Sequence, residues 1–107
     1  MKILEDIVNL IKRYPVVDIF EKIIKQSIID LVFERKQKCI SSKENIHITC
    51  SSFIFNNSFS RILLVYHDQL NCWIQPGGHI EMIDTTCQNT ICREVSEETG
   101  LLVFNFR

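Results

Sequence analysis

The sequence predicts an α/β fold in which an N-terminal helical segment leads into a strand-rich stretch and a further helix. Three observations predict it. Apolar residues recur twice at helical spacing in the N-terminal part of the chain. The pattern then changes to β-branched apolar runs separated by turn residues. A last stretch returns to helical spacing and stops at Gly100.

In the first element, Ile3, Leu4, Ile7, Leu10 and Ile11 trace one helical face up to Arg13. Pro15 ends it, because the residue before a proline is pushed out of helical geometry. Phe20, Ile23, Ile24, Ser27, Ile28, Leu31 and Val32 trace a second face. Basic amphipathic helices can lie on membranes, but Glu21, Asp30 and Glu34 mix with the lysines here, which favours packing against the rest of the protein. The polar residues 36–45 read as a connector that closes a helical segment spanning 1–45.

From 46 to 107 the chain reads differently. The runs His47–Phe55 and Arg61–His67, separated by Asn56-Asn57-Ser58, predict a hairpin. Asp68 to Asn71 forms a turn, Cys72 to Gln75 a short strand, and Pro76-Gly77-Gly78 a sharp break. A third helix is expected near Thr85, where Thr85 and Gln88 have the spacing of a capping box. Cys87, Ile91 and Val95 form its buried stripe. Gly100 supplies the left-handed residue that ends it, and Leu101 to Phe106 begins another strand.

Composition narrows the function classes. At 46% hydrophobic, the 107 residues can build one core. Twelve basic against thirteen acidic residues give no electrostatic case for a nucleic-acid duplex or an anionic membrane. Residues 46–107 hold three basic and six acidic side chains, so a cation is more welcome there than in the first half. The five cysteines (Cys39, Cys50, Cys72, Cys87 and Cys92) contain no CxxC pair. They read as free, mostly buried thiols rather than a disulfide framework or zinc site. No signal peptide or membrane-length apolar run is visible, which predicts a cytoplasmic protein.

The chemistry concentrates in the third helix. Glu94, Glu97 and Glu98 stand at i, i+3 and i+4, on one face. Like charges at those spacings repel by about 0.2–0.5 kcal/mol per pair, and the last helical turn disfavours anions. One compensation is a hard divalent cation shared with substrate phosphates. Another is simple solvation, with Arg93 bridging to Glu97. The three glutamates alone favour solvation. A Gly77-Gly78 pair precedes the helix, where backbone can approach a ligand closely, and the wider context of that pair favours metal through the resemblance it carries.

Here the sequence resembles the Nudix family, whose box reads G-x5-E-x7-R-E-U-x-E-E-x-G-U with U apolar. Arg93, Glu94, Val95, Glu97, Glu98, Gly100 and Leu101 match its second half without exception. In the first half, counted from Gly78, Asp84 stands where the first glutamate belongs. Eight residues rather than seven separate it from Arg93. Thr85 holds the strict spacing and is no carboxylate. One branch of the family accepts this lengthened box, opens with W-[LI]-Q-P-G-G-H and carries an upstream H-[IF]-T-x-S strand. Trp73 to His79 and His47 to Ser51 match those phrases. In that branch a Pro-Gly pair commonly precedes the acid, where this chain has Met82-Ile83.

The resemblance implies a mixed β-sheet flanked by helices, a sheet that this chain holds only in part. It implies hydrolysis of a pyrophosphate linkage in a small nucleoside-diphosphate compound, with Mg²⁺ or Mn²⁺ as cofactor. Glu94, Glu97 and Glu98 would bind metal with the Gly77 carbonyl, and one of them would take the proton of water. Arg93 would orient a glutamate, while Gly78, His79 and Asp84 would shape the substrate loop. His79 could equally brace that loop. Tyr66 reads as structural, His67 as a structural hydrogen-bonding residue ahead of a catalytic one, and Trp73 as a core residue ahead of a ring that stacks on a base. The contrasting expectation is an inactive remnant or partner-binding module, self-associating through unpaired sheet edges.

Overall fold

The computed structural model describes residues 1–103 and Phe106. Helix α1 spans Lys2–Arg13 and α2 spans Ile19–Arg35, with a 3-10 turn at Lys36–Ile40. Asp18 caps α2 by accepting the Glu21 N–H at 2.8 Å. The Lys25 ammonium closes the end of α1, donating to the carbonyls of Lys12 and Tyr14 at 2.7 and 2.8 Å.

Only part of the expected α2 face is buried. Of that face Val32 is buried, while Phe20, Ile23 and Ile24 are 73, 58 and 57% exposed; Ile29, outside the expected face, is buried as well. The polar connector is also more than a linker, since its Cys39 and Ile40 enter the core. They join Ile3, Ile7, Val32, Cys50 and Ile80, with Cys87 and Ile91 packed alongside. The N-terminal helices and the second half thus share one apolar cluster.

The strands are short. Strand β1 (Thr49–Ser51) pairs antiparallel with β4 (Gly77–His79), and β2 (Val65–His67) with β3 (Cys72–Ile74). The expected hairpin survives locally, as a bridge between Phe55 and Ile62 beside the Leu63 N–H bonded to the Ile54 carbonyl at 2.8 Å. Two differences from the expected strand order follow. The front of the His47–Phe55 run pairs with residues 77–79, register Cys50 to Gly78, and not with Arg61–His67. The Gly-Gly pair is a strand and not a chain-breaking turn. Among the described residues every strand pair is antiparallel, in two separate two-stranded sheets, so the mixed sheet is not formed there. Residues 101–103 and Phe106 take no strand conformation, and the rest of the strand expected over Leu101 to Phe106 lies outside the described residues.

Trp73 is 65% exposed rather than in the core, and meets Tyr66 edge-on with ring centroids 5.4 Å apart. All five cysteines are free; Cys39 and Cys50 are buried and Cys72 is exposed. No helix among the described residues is long and apolar enough to cross a membrane.

Helix α3 runs from Cys87 to Thr99, one step later than the expected cap. Thr86 is the N-cap. Its hydroxyl accepts the Asn89 N–H at 3.1 Å, and the Asn89 carbonyl oxygen accepts the Thr86 N–H at 3.2 Å and the Thr85 hydroxyl at 2.7 Å. Asp6 of α1 accepts the Cys87 N–H at 2.7 Å, so a carboxylate from another helix sits on the positive end of α3. Gly100 ends it with φ 74° and ψ 3°. Replacing the cap tests this account: Thr86→Ala is expected to lose about 1 kcal/mol of stability in urea unfolding, through the Asn89 N–H left without its partner.

Candidate active site

Arg93 and Asp84 organise the region where the loop after β4 meets α3. Asp84, 5% exposed, has both oxygens engaged. Arg93 Nη2 donates to its Oδ2 at 2.8 Å and Arg93 Nε to its Oδ1 at 3.3 Å. The Glu81 N–H and the buried Thr90 hydroxyl also donate to Oδ2, each at 2.9 Å. Burial on its own pushes the Asp84 carboxyl up, but these donors and the Arg93 charge outweigh it and hold it below its ordinary value. The same bonds keep Arg93 more firmly protonated than a free arginine.

The other arm of the guanidinium reaches the glutamates. Nη1 lies 3.0 Å from Glu94, 3.3 Å from Glu81 and 3.6 Å from Glu97. Nη2 also donates to the His79 carbonyl at 2.9 Å, tying α3 to β4. Arg93 therefore holds Glu94 and carries more besides. Asp84, expected to shape a substrate loop, sits beneath the cluster with its oxygens consumed by the clamp.

The glycines are needed for space. Neither Gly77 nor Gly78 has positive φ. A Cβ on Gly78 would lie 2.5 Å from the Glu94 carboxyl carbon, so the strand is packed directly under that carboxylate. A Cβ on Gly77 would lie 2.3 Å from the Cys50 carbonyl oxygen and 2.5 Å from Ser51 Cα, which would part β1 from β4. Met82 and Ile83 likewise avoid positive φ, so they form the turn without the strain that loss of a glycine would cause. The turn is closed by the Asp84 N–H on the Glu81 carbonyl at 2.9 Å, and both side chains stand in the open at 71 and 77% exposure.

Glu94 is half-buried, while Glu97 and Glu98 are exposed. Desolvation, then the neighbouring Glu94 and Glu97 charges, raise the Glu98 carboxyl above its ordinary value; the Gly77 backbone and His67 partly offset them. His67, read from sequence as structural, makes a bond of its own within the β2–β3 turn. Its Nδ1 accepts the Leu70 N–H at 3.1 Å, so the neutral ring carries its proton on Nε2. The His79 ring leaves β4 on the face opposite Gly78 and meets His47, not the glutamates. Among the described residues, no group of three or more His, Cys, Asp or Glu is already drawn together as a metal cage. The donors on offer are hard oxygens gathered on one helix face.

Set against protein-family models, curated proteins and solved structures, the chain finds no match in any of the three. The likeness to the Nudix box rests on the motifs themselves.

Two outcomes test this geometry. Gly77→Ala is expected to cost about 1–3 kcal/mol in urea unfolding, because its clash is with backbone. Gly78→Ala is expected to cost less, because the flexible end of Glu94 can yield, but a crystal structure should show Glu94 displaced from Arg93. The Asp84 carboxyl sits lower in the folded chain than its ordinary 3.8, so its contribution is complete above that value and lost as pH falls through the lower native one. Thermal melts should therefore show stability dropping below about pH 4, with a shallower drop in Asp84→Asn, which is already weaker at neutral pH.

Proposed function

We propose that this chain is a Nudix-type hydrolase that cleaves a pyrophosphate linkage in a small nucleoside-diphosphate compound, with Mg²⁺ or Mn²⁺ as cofactor. The observation that carries the reading is Glu94 seated over Gly78 and bonded to Arg93, with Glu97 and Glu98 on the same helix face. The donor chemistry suits a hard cation: carboxylates concentrated in one place, with the Glu98 proton affinity raised by desolvation and then by the neighbouring glutamate charges. Glu94, Glu97 and Glu98 would hold the ion together with the Gly77 carbonyl. That carbonyl belongs to a residue whose polar groups face away from β1, because the ladder bonds fall at the Cys50–Gly78 and Ser52–Pro76 positions. When bound, the ion would neutralise phosphate oxygens and acidify water.

The protein's own part follows from its bonds. Glu94 is fixed by Arg93 and Gly78, so it is the rigid member of the set. Glu97 and Glu98 face solvent and are free to meet water or substrate, and one of the trio takes the proton of the attacking water. Asp84, which takes up the charge of Arg93 from below, keeps the guanidinium in place without competing for the ion.

Exposed apolar surface favours a second reading, a partner-binding or inactive remnant. Val17, Ile19 and Phe20 at the start of α2, with Phe53, Phe55 and Trp73 beyond it, are all more than half uncovered or at that mark. Such surface, like the unpaired edges of two-stranded sheets, suits association. Metal-dependent phosphate release from a panel of nucleoside-diphosphate compounds separates the two. The hydrolase reading expects release that needs Mg²⁺ or Mn²⁺, falls by at least about a hundredfold in E97Q/E98Q, and accompanies a metal-raised melting temperature. Release that persists in the double variant would sink the mechanism, and a metal-indifferent melt without release favours the remnant.

A further inference from the structure

Strand β4 presents different chemistry on its two faces. Gly78 faces α3 and the Glu94 carboxylate, and the alternation of a strand sends His79 to the other side. There His79 Nδ1 lies 3.2 Å from His47 Nε2, with ring centroids 5.1 Å apart. His47 Nδ1 lies 2.9 Å from the Glu44 carbonyl oxygen. A carbonyl only accepts, so the neutral His47 ring carries its proton on Nδ1 and turns the Nε2 lone pair toward His79. Proteins prepare an imidazole for ligation in this way, since donating the other ring N–H to a backbone carbonyl fixes both tautomer and orientation.

We propose that His47 and His79 form a two-imidazole site for a borderline transition-metal ion of the Zn²⁺ class, separate from the glutamates of α3. The bite suits it. With metal–nitrogen bonds of about 2.0–2.1 Å, nitrogens 3.2 Å apart subtend about 100–106° at the ion, near the tetrahedral angle of about 109°. Binding replaces the hydrogen bond between the rings: the His79 proton passes from Nδ1 to the Nε2 of the same ring, and both facing nitrogens then offer lone pairs. No net proton is released. His79 is exposed, so its new N–H meets water.

No third His, Cys, Asp or Glu among the described residues completes the set. The remaining positions fall to water, which makes the ion exchangeable rather than structural. Imidazole suits Zn²⁺, and carboxylate suits Mg²⁺ and Mn²⁺. The two faces of β4 thus sort cations by ligand type, and this site stands whether or not the chain is a hydrolase.

The test is Zn²⁺ titration of the whole chain, by calorimetry and by imidazole nitrogen NMR. The expected result is one ion at the histidine pair, read as the His47 and His79 ring nitrogens shifting together, whatever further Zn²⁺ the glutamates take up. H47Q and H79Q should each weaken affinity by at least about tenfold, while E97Q/E98Q leaves it unchanged. If H47Q does not melt cooperatively, H79Q decides, because that side chain is exposed. Zn²⁺ bound equally well by H79Q, binding lost in E97Q/E98Q instead, or no binding at all would each overturn the proposal.

Discussion

The two-pronged bond between Arg93 and Asp84 is the constraint on which the rest of this region depends. A carboxylate that is 5% exposed is tolerable only with a cation and hydrogen bonds on both oxygens, and Arg93 supplies the cation. Once anchored below, the guanidinium has a fixed height on α3. Its remaining N–H groups then hold the His79 carbonyl, Glu94 and the more distant Glu97. Three glutamates in and near the last helical turn repel one another and oppose the helix dipole. The arginine on the same helix offsets part of that cost, and the turn at residues 81–84 returns the negative charge that keeps the arginine in place.

The sequence made local features legible and left distant pairings hidden. Both N-terminal helices, the Asp68–Asn71 turn, the short strand at Cys72 and the left-handed Gly100 were readable, because each depends on near neighbours. The capping box was misplaced by one residue. Thr85 and Gln88 have the required spacing, but Asn89 serves the same end for Thr86 with a side-chain amide oxygen. The pairing of Thr49–Ser51 with Gly77–His79 was not readable, since the local apolar pattern pointed to a neighbouring hairpin. Cys39 and Ile40 were hidden by the lysines around them, though a 3-10 turn is enough to drive two adjacent residues into the core.

The candidate site divides in the same way. The i, i+3, i+4 glutamates and Arg93 are visible in one dimension because a helix fixes which residues share a face. His47 is not, because its place beside His79 is set by pairing across β1 and β4. Trp73 shows the opposite failure: an aromatic next to Pro-Gly-Gly invites a core assignment, yet a three-residue strand in a two-stranded sheet has little to cover it. The same shortage of covering layers leaves the N-terminal half of α2 uncovered, although its apolar spacing is that of a buried helix.

The lengthened spacing of the box has a physical reading. At the strict distance from Arg93 stands Thr85, whose hydroxyl goes to Asn89 and supports the start of α3. One residue earlier stands Asp84, folded back by the 81–84 turn so that both its oxygens meet the guanidinium. The additional residue separates two tasks that a single position would have to share, clamping the arginine and capping the helix. Met82 and Ile83 fit the same turn without left-handed geometry. Asp84, Thr85 and the 81–84 turn therefore form one local structure that holds the arginine and, through it, Glu94.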